Sequence, residues 1–144
     1  MSKLVFVDAG VLIAAARGTD EVAQRALGAL DDPDAVFASS IFVKLEVLPK
    51  AVYHKKSDEA RFYETYFDAV TTWVKPDVEL LDSALDEAIH SGLSAIDAIH
   101  VVSAASVGAH ELVTSEGPNR PIHRTKRVRV RSILPERSRS PHRE

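Results

Sequence analysis

Four carboxylates in this 144-residue chain stand where an acid needs a reason. Asp8 falls between the apolar runs "KLVFV" and "VLIAAA", at the junction of a strand-like and a helix-like stretch. In open parallel sheets, ligands gather outside the carboxyl ends of the strands, and aspartate at such a junction is equally a good helix N-cap. Glu46 lies in "IFVKLEVL" between Leu45 and Val47, where an acid is costly unless it faces a partner or a cleft. An exposed i,i+4 pair with Lys50 is the alternative. Asp97 follows Ser94 by three positions, so "SAID" reads as a capping box, yet the helix that continues as "AIHVVSAAS" is apolar on most sides and anchors that first turn near the sheet. Glu116 follows "ELVT" by two residues, again at a carboxyl end, or is simply a solvated loop acid.

Three of the four acids fall at helix starts or strand ends, where an α/β sheet assembles its cleft. Four carboxylates in one cleft repel each other unless they are protonated or neutralised, and a divalent cation is the usual neutraliser. The chain has no cysteine, so oxygen or imidazole must hold any metal, and an all-oxygen set suits Mg²⁺ or Mn²⁺. Such a centre activates water for in-line attack on a phosphodiester. His100, one turn after Asp97, is either a donor or substrate contact near these acids or a satisfied histidine inside a helix interface; the last is the reading adopted.

The elements that must position these groups alternate along the chain. "KLVFV", "AVFA", "TTWVK", "ELVT" and "VRVRSIL" read as strands, the last an edge strand because Arg127, Arg129 and Arg131 alternate with Val128 and Val130. Between them lie helical patterns: "VLIAAA", "TDEVAQRALGAL" stopped by "DDPD", "IFVKLEVL" capped by Ser39 or Ser40 and ended or kinked by Pro49, "SDEARFYETYFDAV", "VELLDSALDEAIHSG" closed by Gly92, and "SAIDAIHVVSAASVG" closed by Gly108. The alternation predicts an α/β/α sandwich around a mainly parallel sheet. Tyr53, Phe62, Tyr63, Tyr66, Phe67 and Trp73 read as core or interface rather than as base-stacking groups.

Composition sets the outer bounds. Hydrophobic residues make up 45 % and charged residues 27 %, the balance of a globular domain. No run of 18 apolar residues is present to span a bilayer, and no signal peptide is evident, so a cytoplasmic protein without membrane association is expected. The net charge of −3 hides an asymmetry: residues 1–119 carry nine Lys and Arg against nineteen Asp and Glu, while residues 120–144 carry nine against two. A single domain over 1–134 with a basic, flexible tail over 135–144 is the expected organisation, the tail either following phosphates or an acidic partner, or merely solvated.

In order and spacing, "FVDAGVLI", "SSIFVKLEVL", "LSAIDAIHVVSA" and "ELVTSEGPNRPIHR" resemble the PIN domain, and within it the small VapC-type ribonuclease toxins of toxin-antitoxin pairs. The resemblance implies a PIN-like fold and a Mg²⁺- or Mn²⁺-dependent endoribonuclease. Its acids here would be Asp8, Asp97, Glu46, reaching the metal directly or through water, and Glu116, with Thr114 as the supporting hydroxyl. It also implies an RNA substrate, a small antitoxin partner and a homodimer. Two positions depart from the family pattern: Ala9 and Gly10 stand where an asparagine is often found, and Glu116 replaces the usual last aspartate. The loop "GPNRP" then sets Glu116 back as a peripheral acid. Two rivals stand beside this reading: a catalytically silent PIN-like module that binds RNA or protein, and a phosphoryl-transfer protein with Asp8 as nucleophile, which lacks a companion DxD motif.

Overall fold

Five short strands form one parallel sheet flanked by helices in the computed structural model, which describes residues 2–135. From Glu136 onward the expected tail lies outside the described residues. The elements follow the order β1 (Lys3–Val7), α1 (Ala9–Arg17), α2 (Glu21–Leu30), β2 (Ala35–Ser39), α3 (Ile41–Tyr53), α4 (Ser57–Ala69), β3 (Thr72–Trp73), α5 (Val78–Ser91), α6 (Ala95–Ser106), β4 (Glu111–Thr114) and β5 (Val130–Ser132), with a 3₁₀ turn at Pro121–Arg124 before the last strand. The strand order is β3-β2-β1-β4-β5, and all four pairings are parallel. Parallel strands covered by helices on both faces read as continuous apolar runs. Accordingly Val5, Phe6, Val7, Leu112 and Val113 are fully buried.

The helix starts obey local chemistry. Asp8, Asp20, Ser40, Asp77 and Ser94 each accept a hydrogen bond from a backbone N–H of the first turn, a cap that contributes about 1 kcal/mol at each site. Of the two serines offered by the sequence, Ser40 is the one that caps α3. Gly92 closes α5 at φ +68°, a left-handed angle that glycine adopts without strain.

Of the two effects expected of Pro49, ending the helix does not occur. The residue sits inside α3, which runs on to Tyr53. A helical proline orphans the carbonyl four residues earlier. Here that carbonyl belongs to Leu45, which is 61 % exposed, and Pro49 is itself exposed, so the helix carries its proline on the solvent side.

Three buried glutamates tie distant segments together. Glu59 of α4 accepts from Tyr63 Oη at 2.6 Å and from Arg17 Nε of α1 at 2.9 Å. Glu87 of α5 accepts from Ser91 Oγ at 2.7 Å and Arg127 Nε at 2.8 Å. Glu111 of β4 accepts from Arg131 of β5 through Nε at 3.1 Å and Nη2 at 2.9 Å, with Lys3 Nζ at 3.6 Å. Burial pushes each of these carboxyls up, but the hydrogen bonds and guanidinium charges win and hold all three below the usual carboxylate range. Arg127 and Arg131 therefore fasten the last strand to the domain instead of forming a solvated basic row.

Candidate active site

β1 and β4 lie side by side at the centre of the sheet, with Val7 opposite Val113. The Asp8 N–H donates to Val113 O at 3.0 Å, which carries the ladder one residue past the strand and fixes the Asp8 backbone at the carboxyl rim. The side chain is tied at both oxygens: Oδ1 accepts from the Val11 N–H at 3.1 Å, and Oδ2 accepts from Thr114 Oγ1 at 2.5 Å. Asp8 is thus the N-cap that the sequence offered and, in the same geometry, a rim carboxylate 6 % exposed. Burial raises its pKa against the lowering effect of the Thr114 bond, the His100 charge and the Val11 N–H, and Asp97 raises it further.

Thr114 is completely buried and works in two directions. Its hydroxyl donates to Asp8 and accepts from the Glu116 N–H at 3.0 Å, so one side chain sets the orientation of the first acid and the course of the loop bearing the last. Glu116 itself turns outward, with Oε1 accepting from Arg120 Nε at 3.2 Å. Gly10 leaves room for that loop: a Cβ there would collide with Ser115 Oγ and lie 3.1 Å from Ser115 Cβ. Gly10, one of the two positions that depart from the family pattern, thus sits against the Ser115 side chain, a contact invisible until β1 and β4 are neighbours.

Asp97 occupies the first turn of α6, where its N–H donates to Ser94 Oγ at 3.3 Å. Among the described residues the reciprocal half of the capping box, from the Ser94 N–H to the Asp97 carboxylate, does not form. Burial raises the Asp97 pKa first, and repulsion from Glu116 and from Glu46 adds to it, with His100 pulling the other way. Glu46 makes no pair with Lys50; its Oε1 accepts from His100 Nε2 at 2.7 Å, bridging α3 and α6. His100 is 3 % exposed, lies 5.8 Å from the Phe6 ring, and leaves Nδ1 without a hydrogen-bond partner. The interface histidine of the sequence reading is thus also the donor that holds Glu46.

Asp8, Asp97, Glu46 and Glu116 consequently share one rim and feel one another's charge. They do not close on a common point: among the described residues no three acids or histidines converge as a metal cage, because Glu46 is drawn to His100 and Glu116 to Arg120. The donor set still fits Mg²⁺ or Mn²⁺ in kind, being all oxygen, and the carboxyls of Asp8 and Asp97 are raised chiefly by burial, with His100 pulling both the other way.

The family model of the PIN domain matches residues 5–117. The chain belongs to the PIN domain family. The same fold appears in solved structures of low identity. The crystal structure of VapBC2 from Rickettsia felis bound to a DNA fragment from their promoter aligns with a TM-score of 0.66 at 12 % identity, covering 90 % of this chain and 98 % of that one. FitAcB from Neisseria gonorrhoeae gives 0.61 at 12 %, covering 90 % and 97 %, and PAE2754 from Pyrobaculum aerophilum gives 0.55 at 23 %, covering 90 % and 92 %. No curated protein matches the chain significantly. As a PIN domain, the chain falls in a family of nucleases, and among its described residues no single helix is long and apolar enough to cross a membrane.

Proposed function

We propose that this PIN domain is a divalent-metal-dependent endoribonuclease and the toxin of a toxin-antitoxin pair. The observation that carries the reading is Asp8: a carboxylate with both oxygens fixed, buried at the rim of two central strands, and raised in pKa by burial and by Asp97. Asp8 and Asp97 would hold the metal, Glu46 would reach it directly or through water, and Glu116 would tune it from the periphery. When bound, Mg²⁺ or Mn²⁺ supplies a hydroxide-like water and a counter-charge to the phosphate. The chain's own contribution is orientation. Thr114 keeps Asp8 from rotating, His100 aims the Glu46 carboxylate, and the Ser94 cap fixes the turn bearing Asp97. An RNA substrate fits a rim built from strand ends and helix starts, and the antitoxin follows from the kinship in fold with structures named as VapBC2 and FitAcB pairs. A cytoplasmic location accords with both partners.

The test is cleavage of single-stranded RNA by the purified chain with Mn²⁺ or Mg²⁺. Activity abolished by EDTA and by Asp8→Asn or Asp97→Asn, with folding intact, is the expected result; full activity in both variants would overturn the assignment. A catalytically silent module is the second reading, favoured by the open arrangement of Glu46 and Glu116. Thermal unfolding with Mn²⁺ separates the two, because a cation at 100 times its Kd stabilises the fold by about 2.7 kcal/mol, whereas a silent module shows little shift.

A further inference from the structure

A rim of carboxylates repels a polyanion, and the cations around it are mostly committed elsewhere. Arg17, Arg127 and Arg131 are bonded to the buried Glu59, Glu87 and Glu111, and Lys44 lies 5.1 Å over the Trp73 ring. Among the described residues Arg120 is the one guanidinium bonded to an acid of the rim: its Nε donates to Glu116 Oε1 at 3.2 Å. Repulsion from Glu116 in turn helps to raise the Asp97 carboxyl, so the guanidinium stands one carboxylate away from the acids proposed to hold the metal.

The backbone that carries Arg120 is fixed, while its side chain is not. The Arg120 N–H donates to Gly117 O at 3.0 Å, and the Arg120 carbonyl accepts from the His123 N–H at 3.1 Å. His123 Nε2 donates to Glu116 O at 3.3 Å, and Ile122 anchors the segment by complete burial. The Arg120 side chain is nonetheless 66 % exposed, and its two terminal amino groups make no protein hydrogen bond among the described residues. An exposed carboxylate pair of this kind is weak, whereas a guanidinium fork meets a phosphate through two parallel charge-assisted bonds.

We propose that Arg120 binds a phosphate of the RNA beside the bond that is cut, and that Glu116 is the placeholder for that phosphate, keeping the guanidinium at the rim until substrate displaces it. The inference rests on the reading of the rim as a ribonuclease site and names the group that grips the substrate there. The exchange keeps the guanidinium paired throughout, with a phosphate oxygen taking the place of a carboxylate oxygen. A glutamate at position 116 suits this duty better than an aspartate, because the extra methylene carries the carboxylate outward to an arginine four residues on.

Binding of a fluorescently labelled single-stranded RNA to the full chain, followed by anisotropy in EDTA so that nothing is cut, tests the contact. Arg120→Ala should weaken binding by ~10-fold or more and lower the slope of log K against log salt by ~0.7. Arg120→Lys should keep the slope and recover part of the affinity, since it retains the charge without the fork. Arg129→Ala is the control: Arg129 is exposed just before β5, at the end of the sheet away from the rim, so the same loss of charge there should have a much smaller effect. The Mn²⁺-induced rise in melting temperature should be no smaller in Arg120→Ala than in wild type, because none of the proposed metal acids is removed. Wild-type RNA binding by Arg120→Ala, an equal loss in Arg129→Ala, or a Mn²⁺ response that disappears with Arg120 would each overturn the proposal. If the wild-type chain cuts RNA and Arg120→Ala binds it equally well, this inference alone fails; a wild-type chain with no affinity for RNA overturns it together with the ribonuclease reading.

Discussion

Replacing Thr114 by valine keeps the shape of the side chain and removes only its hydroxyl, so it isolates the link between Asp8 and the Glu116 loop. The bond to Asp8 Oδ2 has a charged acceptor and is completely buried, and such bonds are worth about 1.5–3 kcal/mol. The Glu116 N–H also loses its acceptor, at a cost of about 1 kcal/mol in a partly buried loop. No water enters a site without exposure, so the total is about 3 kcal/mol, or a fall in Tm of roughly 6–12 °C for a chain of this size. Thr114→Ser keeps the hydroxyl and loses a methyl group, at about 1 kcal/mol and roughly 3 °C. The assay is thermal unfolding of both variants by circular dichroism at pH 7, with RNA cleavage measured at equal folded concentration; the serine variant should retain activity that the valine variant loses. A valine variant no less stable than the serine one would refute the reasoning, since the hydroxyl would then hold neither Asp8 nor the loop.

Asp8→Asn should raise stability at neutral pH. The folded-state pKa of Asp8 lies above its ordinary value because of burial, so its contribution is fully present below the ordinary aspartate range and is lost as pH rises through the raised value; asparagine still caps α1, and melting curves from pH 3 to 7 should show a smaller loss on the alkaline side than wild type. Glu116→Gln should reduce Mn²⁺-dependent cleavage less than Asp8→Asn does, and Glu116→Asp should be tolerated; a glutamine variant as inactive as Asp8→Asn would make Glu116 a direct ligand. Arg127→Ala leaves Glu87, 2 % exposed, without its cation and should cost about 2–4 kcal/mol by urea denaturation, with Ser91 keeping part of the loss in check. Deleting residues 136–144 should weaken RNA binding modestly and lower the slope of log K against log salt by ~0.7 per phosphate contact removed; an unchanged slope would return that segment to solvent.

What the sequence made visible was mostly local. The junction at Asp8, the serine cap before Asp97 and the closing Gly92 depend on neighbours within four residues, and periodicity alone places them. Glu46 and His100 are 54 residues apart, so nothing in "VKLEVL" shows that its glutamate turns to a histidine rather than to Lys50. Nothing in the sequence marks Glu59, Glu87 and Glu111 as buried, because their arginines lie 42, 40 and 20 residues away. A buried acid with a distant partner has no local signature. Thr114 entered only through family resemblance, since a threonine at a strand end is unremarkable until the strand beside it is known. That α3 runs on past Pro49 was hidden for a related reason: the cost of a helical proline depends on whether the orphaned carbonyl faces water, which the helix's orientation decides.

The order of the strands also sets a timetable. β1 is made first, yet it lies at the middle of the sheet and waits for β4 to insert beside it. Asp8 and the hydroxyl that fixes it are 106 residues apart, and Asp97 and Glu116 emerge late as well. A nascent chain on the ribosome thus carries Asp8 through most of its synthesis without the hydroxyl that fixes it and without the acids proposed to share its metal. Contacts this distant in sequence carry a large loop-closure cost and slow folding. For a protein whose proposed substrate is RNA, the machinery that translates it is out of reach until residues beyond Glu116 have left it and the central pair of strands has closed.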